Sequence, residues 1–186
     1  MTNSQVTGLR SIEYNVPDLA KTSRFYETCW GLAKIAEEDG THWFRATGAE
    51  HHIVVLHEGG KASVNRINFA APDNTAVDAL YGKLSGLGIS TEGNPEFLSG
   101  PGGGYGFSFA DRDGLRYAIS CDVATHTDIE MEHDRPFKLS HVVLNSDKVE
   151  DQTEFYRDVL GFRVSDRTDR MNFIRCSPDH HSIAFA

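Results

Sequence analysis

Histidine carries most of the readable chemistry in this sequence, because a neutral imidazole both binds divalent metals and exchanges protons near neutral pH. Two placements stand out among its nine histidines. His141 lies in the alternating run Leu139-Ser140-His141-Val142-Val143-Leu144-Asn145, and His180-His181 precede Ser182-Ile183-Ala184-Phe185. In a strand, alternation puts His141, Val143 and Asn145 on one face and Ser140, Val142 and Leu144 on the other. An imidazole so placed suits Fe(II), Mn(II) or Zn(II); a hydrogen bond to a neighbouring carbonyl is its other ordinary role. His180 and His181, as neighbours in a strand, are expected to point to opposite faces, so that one of them serves a given face. His51, His52 and His57 do not read as a further metal site, because six residues of strand would hold His51 about 20 Å from His57.

The elements that position these residues come from a repeat. Residues 10–56 align without a gap on residues 140–186 at an offset of 130, which sets Phe25-Tyr26 on Phe155-Tyr156, Gly31 on Gly161, Arg45 on Arg175 and His51 on His181. Each copy reads as strand, helix and three strands. In the first copy Leu9–Val16 alternates apolar and polar residues. Pro17-Asp18 then offers a turn and an N-cap, Leu19, Thr22, Phe25, Tyr26 and Cys29 share a helical face, and Gly31 stops the helix. Strands are expected near residues 32–38, 42–47 and 52–57. In the later copy the helix is expected over 147–160. Both aromatic pairs, Phe25-Tyr26 and Phe155-Tyr156, are expected to pack behind their sheets.

A third unit of the same plan lies between the copies. Its strand is expected over 64–71, its helix over 74–87 with Ala76, Val77, Leu80 and Leu84 inward, and further strands over 105–110 and 115–121. The run Ser99-Gly100-Pro101-Gly102-Gly103-Gly104 precedes a strand and lacks the strand-to-helix context of a phosphate loop, so it reads as a hairpin or entry loop. Residues 122–137, with Asp122, Asp128, Glu130, Glu132 and Asp134 and no periodicity, form an acidic linker. The domain organisation expected is thus 1–121 as a pair of units, 122–137 as linker and 138–186 as a unit whose partner is missing.

The fold class is α+β, built of repeated βαβββ units in curved mixed sheets. At the strand position of His141 the first copy carries Ser11, a poor metal ligand, so the first pair of units is expected to be metal-free. The formal charge of −9, without a Lys/Arg cluster, argues against a nucleic acid or an anionic membrane surface as partner. No apolar run approaches a membrane span and the first residues lack a signal-peptide layout, which predicts a cytoplasmic protein. Cys29, Cys121 and Cys176 form neither a disulfide framework nor a zinc motif.

The paired-unit layout, the opening strand with His141, the segment Phe155-Tyr156-Arg157-Asp158-Val159-Leu160-Gly161-Phe162 and the closing His180-His181-Ser182-Ile183-Ala184-Phe185 together resemble the vicinal oxygen chelate superfamily. Within it they resemble the type I extradiol ring-cleaving dioxygenases, over nearly the whole chain. The resemblance implies four units, an inactive pair followed by a catalytic pair, with a facial triad of two histidines and a carboxylate at the iron. His141 then corresponds to the first ligand and His181 to the acid/base histidine, while the other ligands belong to a fourth unit. It implies Fe(II), with Mn(II) as the alternative, and a catechol-type aromatic diol and O2 as reactants, the chain being a partial version. Two other readings stand beside it: a metal-free small-molecule binder that uses the cup of the first two units, and a homodimer in which the last unit closes against its counterpart. A homo-oligomer is expected.

Overall fold

The computed structural model describes residues 5–111, 113–129 and 131–186. Alternation in the first strand, β1 (Gly8–Val16), sends Ile12 and Val16 into the core and Ser11, Glu13 and Asn15 to the opposite face. Asp18 caps the first helix, α1 (Leu19–Cys29), by accepting a hydrogen bond from the Lys21 amide at 2.9 Å, and Gly31 leaves it with φ +65°. Three strands follow, β2 (Ala33–Glu38), β3 (Thr41–Arg45) and β4 (Val54–Glu58). The second unit repeats the plan with β5 (Ser63–Ala70), α2 (Asn74–Gly86), β6 (Thr91–Phe97), β7 (Tyr105–Ala110) and β8 (Arg116–Cys121). The last unit has β9 (Val142–Leu144), α3 (Val149–Glu154) continued by a π-helical turn over Phe155–Val159, then β10 (Arg163–Arg167), β11 (Asn172–Arg175) and β12 (Ile183–Phe185).

Within every unit the first strand pairs parallel with the last, and the remaining strands run antiparallel outward. The first two units fuse because β1 pairs antiparallel with β5, which gives an eight-stranded sheet in the order β2-β3-β4-β1-β5-β8-β7-β6. The last unit is a separate four-stranded sheet, β10-β11-β12-β9. The α+β reading of repeated βαβββ units therefore holds. Among the described residues no helix is long and apolar enough to cross a membrane.

Several local expectations are corrected. β6 was not legible, since Thr-Glu-Gly-Asn-Pro-Glu-Phe is mostly exposed and contains Pro95; it survives as an edge strand with an irregular register between Glu92 and Glu96, where a missing amide costs no internal bond. β9 spans three residues where seven were expected, and His141 lies just before it. The helix after it changes to π-helical geometry at Phe155, and Lys83 of α2 donates to its final carbonyls at Asp158 and Val159 (2.6 and 2.8 Å). In α1 the inward face is centred on Ser23, which meets His42 Nδ1 at 2.7 Å, so that Phe25 and Cys29 lie exposed.

The described residues of the acidic stretch form neither helix nor strand, apart from an isolated bridge of Thr125 to Glu50, but they are strapped to the first unit. Thr47 and Gly48 amides donate to the Pro136 and Phe137 carbonyls, Arg135 donates to the Gly31 carbonyl, and Arg45 pairs with Asp128. A Cβ at Gly48 would lie 2.3 Å from the Phe137 carbonyl oxygen, so only glycine allows that approach. Glu130 of this stretch lies outside the described residues.

The last unit packs its helical layer onto the back of the eight-stranded sheet. Tyr156, fully buried, meets Phe69 and Tyr117 of that sheet at ring-centroid distances of 6.3 and 5.9 Å, and Phe162 and Phe185 of its own unit at 5.0 and 5.3 Å. One apolar cluster thereby joins both sheets. On the side of the last sheet away from α3, Val143 is half exposed. Replacing Tyr156 with alanine removes the ring at this junction, and a loss of roughly 3–5 kcal/mol of unfolding free energy is expected in urea denaturation.

Candidate active site

On the open face of the last sheet the structure brings together the two histidines singled out in the sequence. His141 enters from the residue before β9 and His181 from the loop before β12, and the parallel pairing of β9 with β12 holds the two ends side by side. Their ring centroids are 4.4 Å apart. Ser140 Oγ lies 3.2 Å from His141 Nδ1. When that nitrogen donates its hydrogen to the hydroxyl, the Nε2 lone pair is left free, the tautomer that a metal-binding histidine needs. Val142 is buried and Val143 is half exposed, so the alternation expected for this strand holds on either side of the core.

His181 is partly buried, and burial first, then the positive charge that His141 and His180 would carry, lowers its pKa below the ordinary 6.5. Phe173 of β11 stands edge-to-face against it at 5.1 Å. The expectation that His180 and His181 face opposite ways is corrected: both lie in the loop before β12, and their Nδ1 atoms are 3.0 Å apart. Nε2 is thus the His181 nitrogen left for proton exchange. Neither Ser140 nor Phe173 was singled out in the sequence; the Ser140 contact follows from the chain leaving strand geometry before Val142, which alternation does not foresee.

Imidazole donors fit a divalent metal of the Fe(II), Mn(II) or Zn(II) type, but they do not complete a site. Among the described residues there is no group of three or more His, Cys, Asp or Glu side chains placed to hold an ion. What the described residues bring together on this face is the imidazole pair His141 and His181.

In the first unit the corresponding positions are put to a different use. Ser11, at the place of His141, accepts a hydrogen bond from Asn68 at 2.9 Å. His51, at the place of His181, stacks on His126 of the acidic stretch at 5.5 Å. His57 instead reaches Glu13, Nε2 to Oε2 at 2.7 Å, and the histidine trio does not converge. The Glu13 carboxylate also accepts from Arg66 (2.8 and 3.0 Å) and Asn68 (2.9 Å). Burial pushes its pKa up, yet the His57 bond, the Arg66 charge and the Asn68 and Arg66 bonds outweigh this and hold it at about 2.

The family model described as the Glyoxalase/Bleomycin resistance protein/Dioxygenase superfamily matches residues 8–119 and 138–186. Among solved structures, the chain is similar to the Mn(II)-bound glyoxalase from Novosphingobium aromaticivorans, with 40% identity and a TM-score of 0.93 over 98% of this chain and 62% of that one. Among curated proteins it is 44% identical over 52 residues to metapyrocatechase 2 of Cupriavidus necator, covering 26% of this chain and 16% of that protein. It is 39% identical over 62 residues to an iron-dependent extradiol dioxygenase of Rhodococcus jostii, covering 25% and 21%. The chain thus spans about three fifths of the solved relative, and the matched stretches are 16% and 21% of the two curated ones.

The Glu13 network ties the stability of the fold to pH. Its folded pKa is depressed, so its stabilisation is complete above the ordinary 4.5 and is lost as pH falls toward about 2. Roughly 3 kcal/mol should disappear across that window. Acid denaturation followed by circular dichroism should show it, and Glu13→Gln, less stable at neutral pH, should lack this part of the acid limb.

Proposed function

Because this chain belongs to the glyoxalase/bleomycin resistance protein/dioxygenase superfamily, we propose that it serves extradiol ring cleavage of a catechol-type aromatic diol with O2 and a divalent metal, Fe(II) or Mn(II). The observation that carries this reading is the His141–His181 pair, 4.4 Å apart on an open sheet face. The short matches to two ring-cleaving relatives and the longer one to a Mn(II)-bound protein support the chemistry class.

His141 would hold the metal through Nε2, oriented by Ser140 at Nδ1. A bound metal of this kind supplies a meeting point for the diol and dioxygen. His181, with His180 at its Nδ1, would take a proton from the diol or return one at Nε2. Phe173 walls one side of that ring and limits its rotation. The remaining ligands would come from a further βαβββ surface seated along β9. That strand spends the Val142 amide and the Leu144 carbonyl on the β12 side and so turns the amide and carbonyl of Val143 the other way. A second copy of the chain can offer such a surface about a twofold axis.

The test is oxygen uptake with catechol after anaerobic loading with Fe(II) or Mn(II), together with elemental analysis of the metal per chain. Catechol-dependent uptake is expected. His141→Ala should lose both metal and activity, and His181→Asn should keep the metal while losing about 10²–10⁴-fold in rate. A ratio of one metal per two chains would assign the missing ligands to a second copy. Metal bound equally well by His141→Ala, or a loaded protein that consumes no catechol, overturns the reading.

A further inference from the structure

The first unit shows what one end of such a repeat can hold. At the end of β3, Arg45 stands opposite Ala33 of β2, and its side chain is 13% exposed. Its Nη1 donates to both carboxylate oxygens of Asp128 at 3.1 Å, and its Nη2 makes a longer 3.4 Å contact to the Asp128 carbonyl. Asp128 belongs to the acidic stretch, which crosses the same end of the unit, where the Thr47 and Gly48 amides donate to the Pro136 and Phe137 carbonyls. Ala33, Arg45, Ala46, Thr47 and Asp128 line one groove. An extended acidic segment is thus seated on a guanidinium and two backbone amides.

The same end of the last unit carries more positive charge. The offset of 130 sets Arg175 on Arg45, Arg163 on Ala33, Cys176 on Ala46 and Ser177 on Thr47. The register carries over, since Arg163 pairs with Arg175 as Ala33 pairs with Arg45. Directly opposite residues on antiparallel strands share a face, and like charges so placed destabilise the pair. With Thr7, Gly161 and Pro178, the two arginines line a groove of about 370 Å³, and none of its described lining residues is acidic. Neither guanidinium has an ion pair or hydrogen bond with the described residues. Asp179, which follows the Ser177-Pro178 of the groove, is engaged by Lys138 at 2.7 Å. In a chain of formal charge −9, two opposed arginines without a counter-charge point to an anion from outside.

Arg163 is exposed and Arg175 is partly buried, so a ligand can reach both from solvent. A carboxylate held by them would form charge-assisted, bidentate hydrogen bonds and would relieve the repulsion across the register pair. The backbone contributes less here than in the first unit. Pro178 stands where Gly48 stands and has no amide hydrogen, which leaves the Ser177 amide as the counterpart of Thr47. Recognition therefore rests on the two guanidinium groups, and at an exposed site it is sensitive to salt.

We propose that this groove docks an extended protein segment carrying an aspartate or glutamate, its carboxylate held by Arg163 and Arg175 as that of Asp128 is held by Arg45. The probe is a peptide of residues 123–129 with a blocked N-terminus and an amidated C-terminus, so that Asp128 is its one carboxylate. Two-dimensional NMR of the nitrogen-labelled full chain reads the binding, with the Nε–H signals of Arg163 and Arg175 and the Ser177 amide as reporters. Saturable shifts of these signals are expected at low salt, with affinity falling as salt rises above about 0.1 M. The same peptide with Asp128→Asn should leave them unmoved. Arg175→Gln should weaken binding about tenfold, and Arg163→Gln, at an exposed position of an edge strand, should weaken it several-fold. Acetate, a carboxylate without a chain, should bind several-fold more weakly than the peptide, and His141→Ala should bind the peptide as the parent does. No saturable shift up to ~10 mM peptide, equal affinity for acetate, binding unaffected by both arginine substitutions, or loss of binding with His141→Ala overturns the proposal. So do shifts confined to Arg45 and the Thr47 and Gly48 amides, which would mean exchange with the chain's own acidic stretch. None of these outcomes bears on ring cleavage.

Discussion

The antiparallel pairing of β1 with β5 is the contact on which the rest of the chain depends. Every unit has the same internal order, with its first strand beside its last and a row of backbone groups on the other edge of that first strand. Unpaired strand edges are unstable against association, so each unit must cover that edge. The first two units cover each other's. Doing so fixes which face of the joint sheet is concave, because the register sets Ser11 opposite Asn68 and Glu13 opposite Arg66 on one side and Ile12 opposite Ile67 on the other. A slip of one residue would bury the charges in the core and expose the isoleucines, so the polar cup and the apolar back specify each other.

That division of faces explains how the last unit is placed. Its helical layer needs an apolar surface, and the back of the joint sheet offers Phe69, Phe109 and Tyr117 next to α2. The π-helical turn at Phe155–Val159 widens the helix just where Tyr156 enters this cluster. Once Tyr156, Phe162 and Phe185 are packed there, the opposite face of the last sheet points outward, carrying His141, Val143 and His181. The exposure of the histidines is therefore a consequence of packing on the other side of the same strands.

How far this was readable in the sequence differs by feature. Alternation and the offset of 130 were enough for the three units, the helix cap at Asp18 and the glycine stops at Gly31 and Gly161, because these depend on local geometry. The same offset sets His141 on Ser11 and His181 on His51, and so marks position 141 as the one where the later copy gains an imidazole. What local patterning did not carry was irregular backbone. Polar, proline-containing β6 has no periodic signal, the bulge at Arg10 depends on how two distant strands align, and the loop holding His180 and His181 breaks the alternation assumed for a continuous strand.

The two cups show how one repeat supports different chemistry through a few substitutions. Position 13 holds a carboxylate that draws in His57, Arg66 and Asn68, and position 143, its counterpart, holds valine. A carboxylate there ties up the imidazole within reach and fills the middle of the cup with fixed ion pairs, which leaves no lone pair for a metal. Valine does neither, and the neighbours of the His141 and His181 rings are Ser140, His180 and Phe173 rather than a carboxylate. Buried ion pairs contribute little net stability but are costly to break, so the Glu13 network holds His57, Arg66 and Asn68 in fixed pairs across the first cup, whereas the last sheet has no such pairs at Val143.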